Sequence, residues 1–187
     1  DVRPIASLTK LMSLLVVIES GLSQDVEIEL TTEDHTSLGY NNFSVGERVR
    51  MRDLFAAALI ASDNSAMQAL ARATGMSQDE FVERMNTRAA ELGLSKTMFL
   101  DSTGLSSENV STAREVIRLA AHAFHEPDIA ALADRKTYSF TAVSGTPHTV
   151  YSTNLLLGSM VQVTAGKTGY VTDSGYNFVA EAVNDSG

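Results

Sequence analysis

Ser7 and Lys10 stand three residues apart, a spacing that places a hydroxyl and an amine on the same side of a helix. They precede an almost wholly apolar run, 11–18, which indicates a helix buried on every face. Burial disfavours the ammonium form of a lysine, so a neutral amine could take the serine proton. Ser-x-x-Lys alone should occur about once by chance in an ordinary chain of this size.

Two further motifs follow in order. Ser62-Asp63-Asn64 lies at the break between two predicted helices, and Lys167-Thr168-Gly169 lies at the end of a predicted strand. The chain matches an established signature of class A β-lactamases and penicillin-binding proteins, which consists of Ser-x-x-Lys, Ser-Asp-Asn and Lys-Thr-Gly. Each motif is weak alone, but their order and context indicate one catalytic site.

Acyl transfer from an amide needs a nucleophile, a base, a proton donor for the leaving amine and donors for the oxyanion. We expect Ser7 to be the nucleophile, Lys10 its base and Ser62 the relay of a proton to the leaving amine. Lys167 would help to keep one of the two lysines neutral, because like charges disfavour each other. The backbone N–H groups of Ser7 and Tyr170 would form the oxyanion hole.

The remaining site residues are expected to bind substrate. Asn64 offers an amide for a substrate carbonyl, and Thr168 and Lys167 suit a terminal carboxylate by hydrogen bond and by charge. Gly169 would let a substrate backbone lie against the strand as an added β-strand. The motifs require no metal ion and no cofactor.

Composition narrows the function classes. The chain has 187 residues, 44% hydrophobic and 20% charged, which suits one domain with a sizeable core. A net charge of −9 argues against a nucleic-acid partner and gives no reason for attraction to an anionic membrane. The absence of cysteine excludes disulfides and thiol catalysis. No apolar run reaches the roughly 18 residues of a membrane span.

The pattern of elements indicates an α+β fold. Asp53 and two capping boxes, Ser77 with Glu80 and Thr112 with Glu115, mark helix starts. Helices are predicted over 7–20, 54–61, 65–75, 77–92 and 112–124, with loops over 33–44 and 99–109. Strands are predicted over 23–32, 46–51, 137–143, 149–152, 160–168 and 176–183, the last two joined by 169–175. The first helix and the terminal strands should pack together, with a helical lobe at about 52–127 of the single domain 1–187.

Several segments resemble serine-type D-Ala-D-Ala carboxypeptidases, the low-molecular-mass penicillin-binding proteins: 3–12, 52–66, 99–105, 166–170 and 174–180. The resemblance implies the fold shared by penicillin-binding proteins and β-lactamases, an antiparallel sheet packed on helices. It implies cleavage of the terminal D-alanine of peptidoglycan stem peptides and acylation by β-lactams, which imitate D-Ala-D-Ala. It also implies an extracytoplasmic location, reached by a signal peptide not present in this sequence, and membrane attachment only through a segment absent from it.

The sequence departs from this family at three points. Only six residues precede Ser7, where the family has a strand or two, and no strand or basic residue follows 176–183. We therefore expect a fold that is truncated at both ends, with the sequence stopping at 184–187 directly after the last predicted strand. Asp63 stands where the family commonly has glycine, and aspartate is what β-lactamases show.

Two alternatives stay open. A class A β-lactamase needs a Glu-x-x-Leu-Asn loop to activate its deacylating water, and neither Glu108 nor Glu126 has the Leu-Asn that should follow. A non-catalytic cell-wall or penicillin-binding module would keep the fold with idle machinery. The stretch from Asp101 to Gly104 either borders the cleft or is simply a tight turn.

Overall fold

The computed structural model describes residues 1–36 and 41–183, so Gly39 and Tyr40 of the predicted loop and the predicted truncation at 184–187 lie outside the described residues. The helices are α1 (Thr9–Glu19), α2 (Met51–Ile60), α3 (Asn64–Ala73), α4 (Gln78–Glu91), α5 (Ala113–Phe124) and α6 (Pro127–Ala130), with 3₁₀ turns at Ala6–Leu8 and Thr32–Asp34. The strands are β1 (Arg3–Pro4), β2 (Glu27–Glu29), β3 (Arg48–Arg50), β4 (Val110–Ser111), β5 (Thr137–Thr141), β6 (Pro147–Tyr151), β7 (Gln162–Val171) and β8 (Gly175–Val183).

Helix α1 is the centre of the core. Its residues from Thr9 to Val17 are buried, and it packs against α2, α3, α4 and α5. The prediction that this helix starts at Ser7 is wrong, because Ser7 lies in the 3₁₀ turn and α1 starts at Thr9. Ala6 has a φ of 48°, outside the right-handed helical region, so regular α-helix cannot extend back through it.

The break between α2 and α3 is confirmed. Ser62 has a φ of 59°, and the Asp63 carboxylate caps α3 by accepting the Ala66 N–H at 2.8 Å. The prediction that Asp53 caps α2 is wrong, because α2 starts at Met51 and no side chain caps it. The buried Asp53 carboxylate instead accepts a hydrogen bond from the Tyr138 hydroxyl at 2.9 Å, which ties α2 to β5.

The two predicted capping boxes differ in outcome. Ser77 and Glu80 form a complete box at the start of α4. Thr112 accepts the Glu115 N–H at the start of α5, but the Glu115 carboxylate faces away from the cap. It accepts the Lys96 N–H and the Thr97 hydroxyl instead, so this side chain secures the preceding loop.

The described strands form four antiparallel pairs: β1 with β4, β2 with β3, β5 with β6, and β7 with β8. The prediction that β7 ends at Thr168 is wrong, because Gly169 still pairs with Asn177 and the strand continues to Val171. The β7–β8 hairpin packs chiefly on the 3₁₀ turn that holds Ser7, and β8 also packs on α5. No helix within 1–36 and 41–183 is both long and apolar enough to cross a membrane.

Candidate active site

Lys10 is fully buried at the first turn of α1 and has three oxygen neighbours. Its Nζ lies 3.0 Å from Ser7 Oγ, 2.6 Å from Asn64 Oδ1 and 2.8 Å from the Thr103 carbonyl oxygen. The last two oxygens can only accept hydrogen bonds. A neutral amine that donates its two hydrogens to them therefore keeps its lone pair for the Ser7 hydroxyl, which is the arrangement of a base beside a nucleophile.

Burial and the nearby carboxylates act on the pKa of Lys10 in opposite directions. Burial lowers the pKa of Lys10 to about 7, while the carboxylates of Asp63 and Asp101 act to raise it. A lysine with this pKa is partly neutral near neutral pH, so the proton acceptor is available without a large free-energy cost.

Lys167 reaches the same centre from strand β7. Its Nζ donates to Ser62 Oγ and to the Thr168 carbonyl, both at 2.8 Å. Burial, followed by the nearby charge of Lys10, holds the pKa of Lys167 well below its ordinary value. Lys167 is only 2% exposed, so its amino group lies behind Ser62 rather than on the open surface.

The Ser-Asp-Asn segment supplies three different contacts because its backbone turns sharply at Ser62. Asn64 opens α3 and directs Oδ1 at Lys10. The Asp63 carboxylate accepts the backbone N–H and the side-chain amide of Asn42, at 2.8 and 2.7 Å. The middle residue of the motif thus fastens the loop around Asn42 to the start of α3.

One edge of β7 is open along the site. The Gly166 N–H donates to the Ala133 carbonyl at 3.2 Å, away from β8. Because alternate residues of an antiparallel strand direct their N–H groups to the same edge, those of Thr168 and Tyr170 share that edge. The Thr168 hydroxyl is hydrogen-bonded to the Thr153 hydroxyl beside it, a partner that the sequence did not indicate.

Gly169 lies against the nucleophile's own backbone. A Cβ at this position would stand 2.9 Å from Ser7 N and 3.1 Å from the Ile5 carbonyl oxygen. We expected this glycine to make room for a substrate backbone. The structure shows that its missing side chain lets β7 touch the 3₁₀ turn.

The Asp101–Gly104 stretch is a tight turn, and it also touches the site. Its Thr103 carbonyl accepts from Lys10, and its Gly104 Cα lies directly against the Ala6 carbonyl. Neither contact was predicted. The Asp-x-Thr-Gly pattern signals a turn but does not indicate what the turn packs against.

A cleft of about 760 Å³ opens over these groups. The predicted site residues that line it are Ser7, Ser62, Asn64, Thr168, Gly169 and Tyr170, whereas Lys10 and Lys167 lie behind the wall. The lining also contains Thr153, Asn154, Leu155 and Leu156, and strand β8 adds Tyr176 and Phe178, residues that the sequence did not single out. The structure therefore brings all three motifs to one cleft.

The sequence is similar to those of known D-alanyl-D-alanine peptidases. The D-alanyl-D-alanine endopeptidase of Haemophilus influenzae is 34% identical over 184 residues, 96% of this chain and 62% of that protein. The carboxypeptidase DacF of Bacillus subtilis is 29% identical over 183 residues, 95% of this chain and 47% of that protein. The chain therefore spans about half to three fifths of the length of these relatives.

The fold has a solved counterpart. The crystal structure of the Streptomyces K15 DD-transpeptidase matches with a TM-score of 0.92 and 27% identity, over 99% of this chain and 78% of that one. This match confirms the predicted α+β penicillin-binding-protein fold. The model of the peptidase S11 family, described as D-alanyl-D-alanine carboxypeptidase, matches residues 1–187. The chain belongs to that family.

Proposed function

We propose that the protein is a serine D-Ala-D-Ala carboxypeptidase that removes the terminal D-alanine of peptidoglycan stem peptides through an acyl-enzyme on Ser7. The observation that carries the proposal is the Lys10 amine, buried 3.0 Å from Ser7 Oγ with two acceptor oxygens to take its hydrogens. Membership of the peptidase S11 family supports the substrate class. The family acts on the cell wall, so we place the protein outside the cytoplasm.

The first step is attack of Ser7 Oγ on the carbonyl of the D-Ala-D-Ala bond while Lys10 takes the hydroxyl proton. The carbonyl oxygen becomes an oxyanion, which the backbone N–H groups of Ser7 and Tyr170 would stabilise. Ser62 then passes a proton to the departing amine and is resupplied through Lys167, 2.8 Å away. The proton that Lys10 took then replaces the one that Lys167 gave up, which leaves Lys10 neutral again. Water hydrolyses the resulting ester: Lys10 takes a proton from the attacking water and returns it to Ser7 Oγ, so no co-reactant is consumed.

Substrate binding follows from the same cleft. The terminal carboxylate would lie at the Thr168 and Thr153 hydroxyls, with the Lys167 charge close behind them. The Asn64 NH2 group would hold a carbonyl of the peptide, and the edge of β7 at Thr168 and Tyr170, on either side of Gly169, would pair with its backbone. We treat 1–187 as one catalytic domain, with 52–127 as its helical lobe.

The test uses penicillin and a peptide ending in D-Ala-D-Ala. Intact-protein mass spectrometry should show one penicillin adduct, mapped to the peptide that contains Ser7, and free D-alanine should appear with the peptide substrate. Ser7→Ala should lose both, and Ser139→Ala, in an exposed pair with Thr149, should lose neither. An adduct on another residue would refute the assignment of the nucleophile.

The lifetime of the adduct separates this proposal from the two alternatives. A penicillin adduct that persists supports the carboxypeptidase, since the chain has no Glu-x-x-Leu-Asn segment between Ser62 and Lys167. Rapid turnover of a chromogenic cephalosporin would indicate a β-lactamase instead. Absence of any adduct in a folded protein would indicate a non-catalytic module.

Endopeptidase activity is a second candidate. The Haemophilus influenzae relative that is 34% identical is a D-alanyl-D-alanine endopeptidase. The cleft extends along the β7–β8 hairpin to Tyr176, so it has room for chain on more than one side of the scissile bond. Parallel digestion of a linear pentapeptide and of a cross-linked peptide dimer decides between the two activities. Preferential cleavage of the dimer would favour the endopeptidase.

A further inference from the structure

The turn that begins at Asp101 is organised by one carboxylate. Oδ1 accepts the N–H groups of Thr103 and Gly104, both at 2.6 Å, and Oδ2 accepts the Ser106 N–H at 2.7 Å and the Asn109 side-chain amide at 2.9 Å. Burial acts to raise the pKa of Asp101, but these hydrogen bonds outweigh it and hold the pKa below its usual value. The residue is therefore a charged centre at neutral pH.

The carbonyls of the same turn face helix α1. The Thr103 carbonyl accepts from Lys10 Nζ at 2.8 Å, and the Ser102 carbonyl accepts from Ser13 Oγ at 2.6 Å, one turn further along the helix. The Thr103 contact takes one amine hydrogen of Lys10. It therefore helps to decide where the lone pair of the neutral amine points.

The turn also presses on the nucleophile. Gly104 has a φ of 86°, and a Cβ there would stand 2.0 Å from the Ala6 carbonyl oxygen and 2.9 Å from Ser7 N. Ala6 is itself in the left-handed region, at 48°. The strained residue before the nucleophile is thus packed directly beneath the turn that Asp101 holds together.

We propose that Asp101 is a positioning residue for the acylation step, holding the Thr103 carbonyl on Lys10 and Gly104 on the Ala6–Ser7 backbone. This inference rests on the proposed function, because it assigns the base role to Lys10. Asp101 does not line the cleft, so it acts through these neighbours.

The charges that face Lys10 define the expected pH effect. Asp63 and Asp101 favour its ammonium form, and Lys167 is the neighbouring cation; the neutral groups are Ser7, Asn64 and the Thr103 carbonyl. The Asp101 carboxylate raises the pKa of Lys10 and so counteracts the effect of burial. Removing its charge should therefore lower the pKa of Lys10. The acid limb of the plot of acylation rate against pH should then also move to lower pH.

The experiment measures the acylation rate constant with a fluorescent penicillin across the titration range of Lys10, in the full chain. Asp101→Asn should slow acylation at the optimum by up to about a hundredfold, because the base and nucleophile lose alignment. It should also move the acid limb to lower pH. Thr103→Val is the matched control, since it removes one hydroxyl from the turn and keeps the charge. It should slow the reaction less and leave the limb in place.

An Asp101→Asn protein that folds and keeps the wild-type acid limb, or shifts it to higher pH, overturns the inference. If Asp101→Asn does not fold, Asp101→Glu decides, because it keeps the charge and displaces the turn. Slower acylation with an unmoved limb then supports the inference, and wild-type rates refute it. Failure of the wild-type protein itself to acylate would instead count against the proposed function.

Discussion

Lys167 Nζ lies 2.8 Å from Ser62 Oγ, so a buried lysine on strand β7 meets the hydroxyl at the break between α2 and α3. Ser62 holds a φ of 59°, a conformation that costs a non-glycine residue roughly 1 kcal/mol or more. The chain accepts this cost at a position where a hydroxyl connects Lys167 to the cleft. Strain and contact together support our proposal that Ser62 is a functional position.

Two substitutions at Ser62 separate the hydroxyl from the backbone strain. Ser62→Ala and Ser62→Gly should both reduce the acylation rate by roughly a hundredfold or more, because both remove the proton relay. The free energy of unfolding of Ser62→Gly should exceed that of Ser62→Ala by about 1 kcal/mol, since glycine adopts positive φ freely. Penicillin acylation and urea unfolding measure the two effects. Wild-type acylation in either variant would exclude the relay.

Burial of two lysines predicts that stability depends on pH. With its folded pKa at about 7 and an ordinary value of 10.5, Lys10 binds a proton less readily in the folded protein than in the unfolded chain. The penalty on folding is therefore complete below pH 7 and is relieved as pH rises towards 10.5. We expect the free energy of unfolding to rise across that window, with Lys167 adding to the slope.

Lys10→Met should flatten this slope, because methionine carries no proton in either state. Lys96→Met, at an exposed position, is the control and should leave the slope unchanged. Urea unfolding at a series of pH values gives the slope directly. Equal slopes in wild type and Lys10→Met would show that Lys10 is not the desolvated group.

Gly169→Ala tests the contact between β7 and the nucleophile. The added methyl carbon would lie 2.9 Å from Ser7 N, and neither strand nor turn can yield cheaply, so acylation should fall by about a hundredfold. Gly145→Ala is the control: its φ is 92°, and nothing lies within 4 Å of the added carbon. It should cost about 1 kcal/mol of stability and leave acylation intact. Normal acylation by Gly169→Ala would mean that the turn adjusts freely.

Tyr138→Phe tests the tie between α2 and β5. It leaves the buried Asp53 carboxylate without this donor and should cost about 1–3 kcal/mol of the free energy of unfolding. Burial, with Asp53 second, raises the pKa of Tyr138 from 10.0 to about 12, so wild type should lose stability between those pH values. Tyr138→Phe should lack that loss, and exposed Tyr151→Phe should retain it. Identical alkaline unfolding of wild type and Tyr138→Phe would contradict the assignment.

Ser7, Lys10, Ser62, Asn64 and Lys167 could be assigned to one site from the sequence, because the three motifs follow one another in the order and context of a known signature. The helices were equally visible, since α1 and α2 are apolar on every face and α4 carries a complete capping box. Boundaries were less certain where local propensity and tertiary contacts compete. Asp53 resembles a helix cap in the sequence, but in the fold its carboxylate accepts a hydrogen bond from the Tyr138 hydroxyl.

The rest of the site depends on backbone contacts that side-chain patterns do not record. Asp101 is satisfied largely by backbone N–H groups of its own turn, and its effect reaches Lys10 through a carbonyl. Thr153 joins Thr168 from a segment between two strands that has no periodicity of its own. Such partners become visible only when the chain is folded.

Gly104 and Gly169 approach the backbone at Ser7 from two different elements, and each would bring a side chain to 2.9 Å of the same nitrogen. The position of Ser7 therefore depends on the absence of a side chain at both glycines. Any larger residue at either position would push against the Ser7 backbone. Variants that resist a bulky β-lactam yet still process a small peptide are therefore expected along the rim, at Leu155 or Tyr176, where the surface can change without shifting the nucleophile.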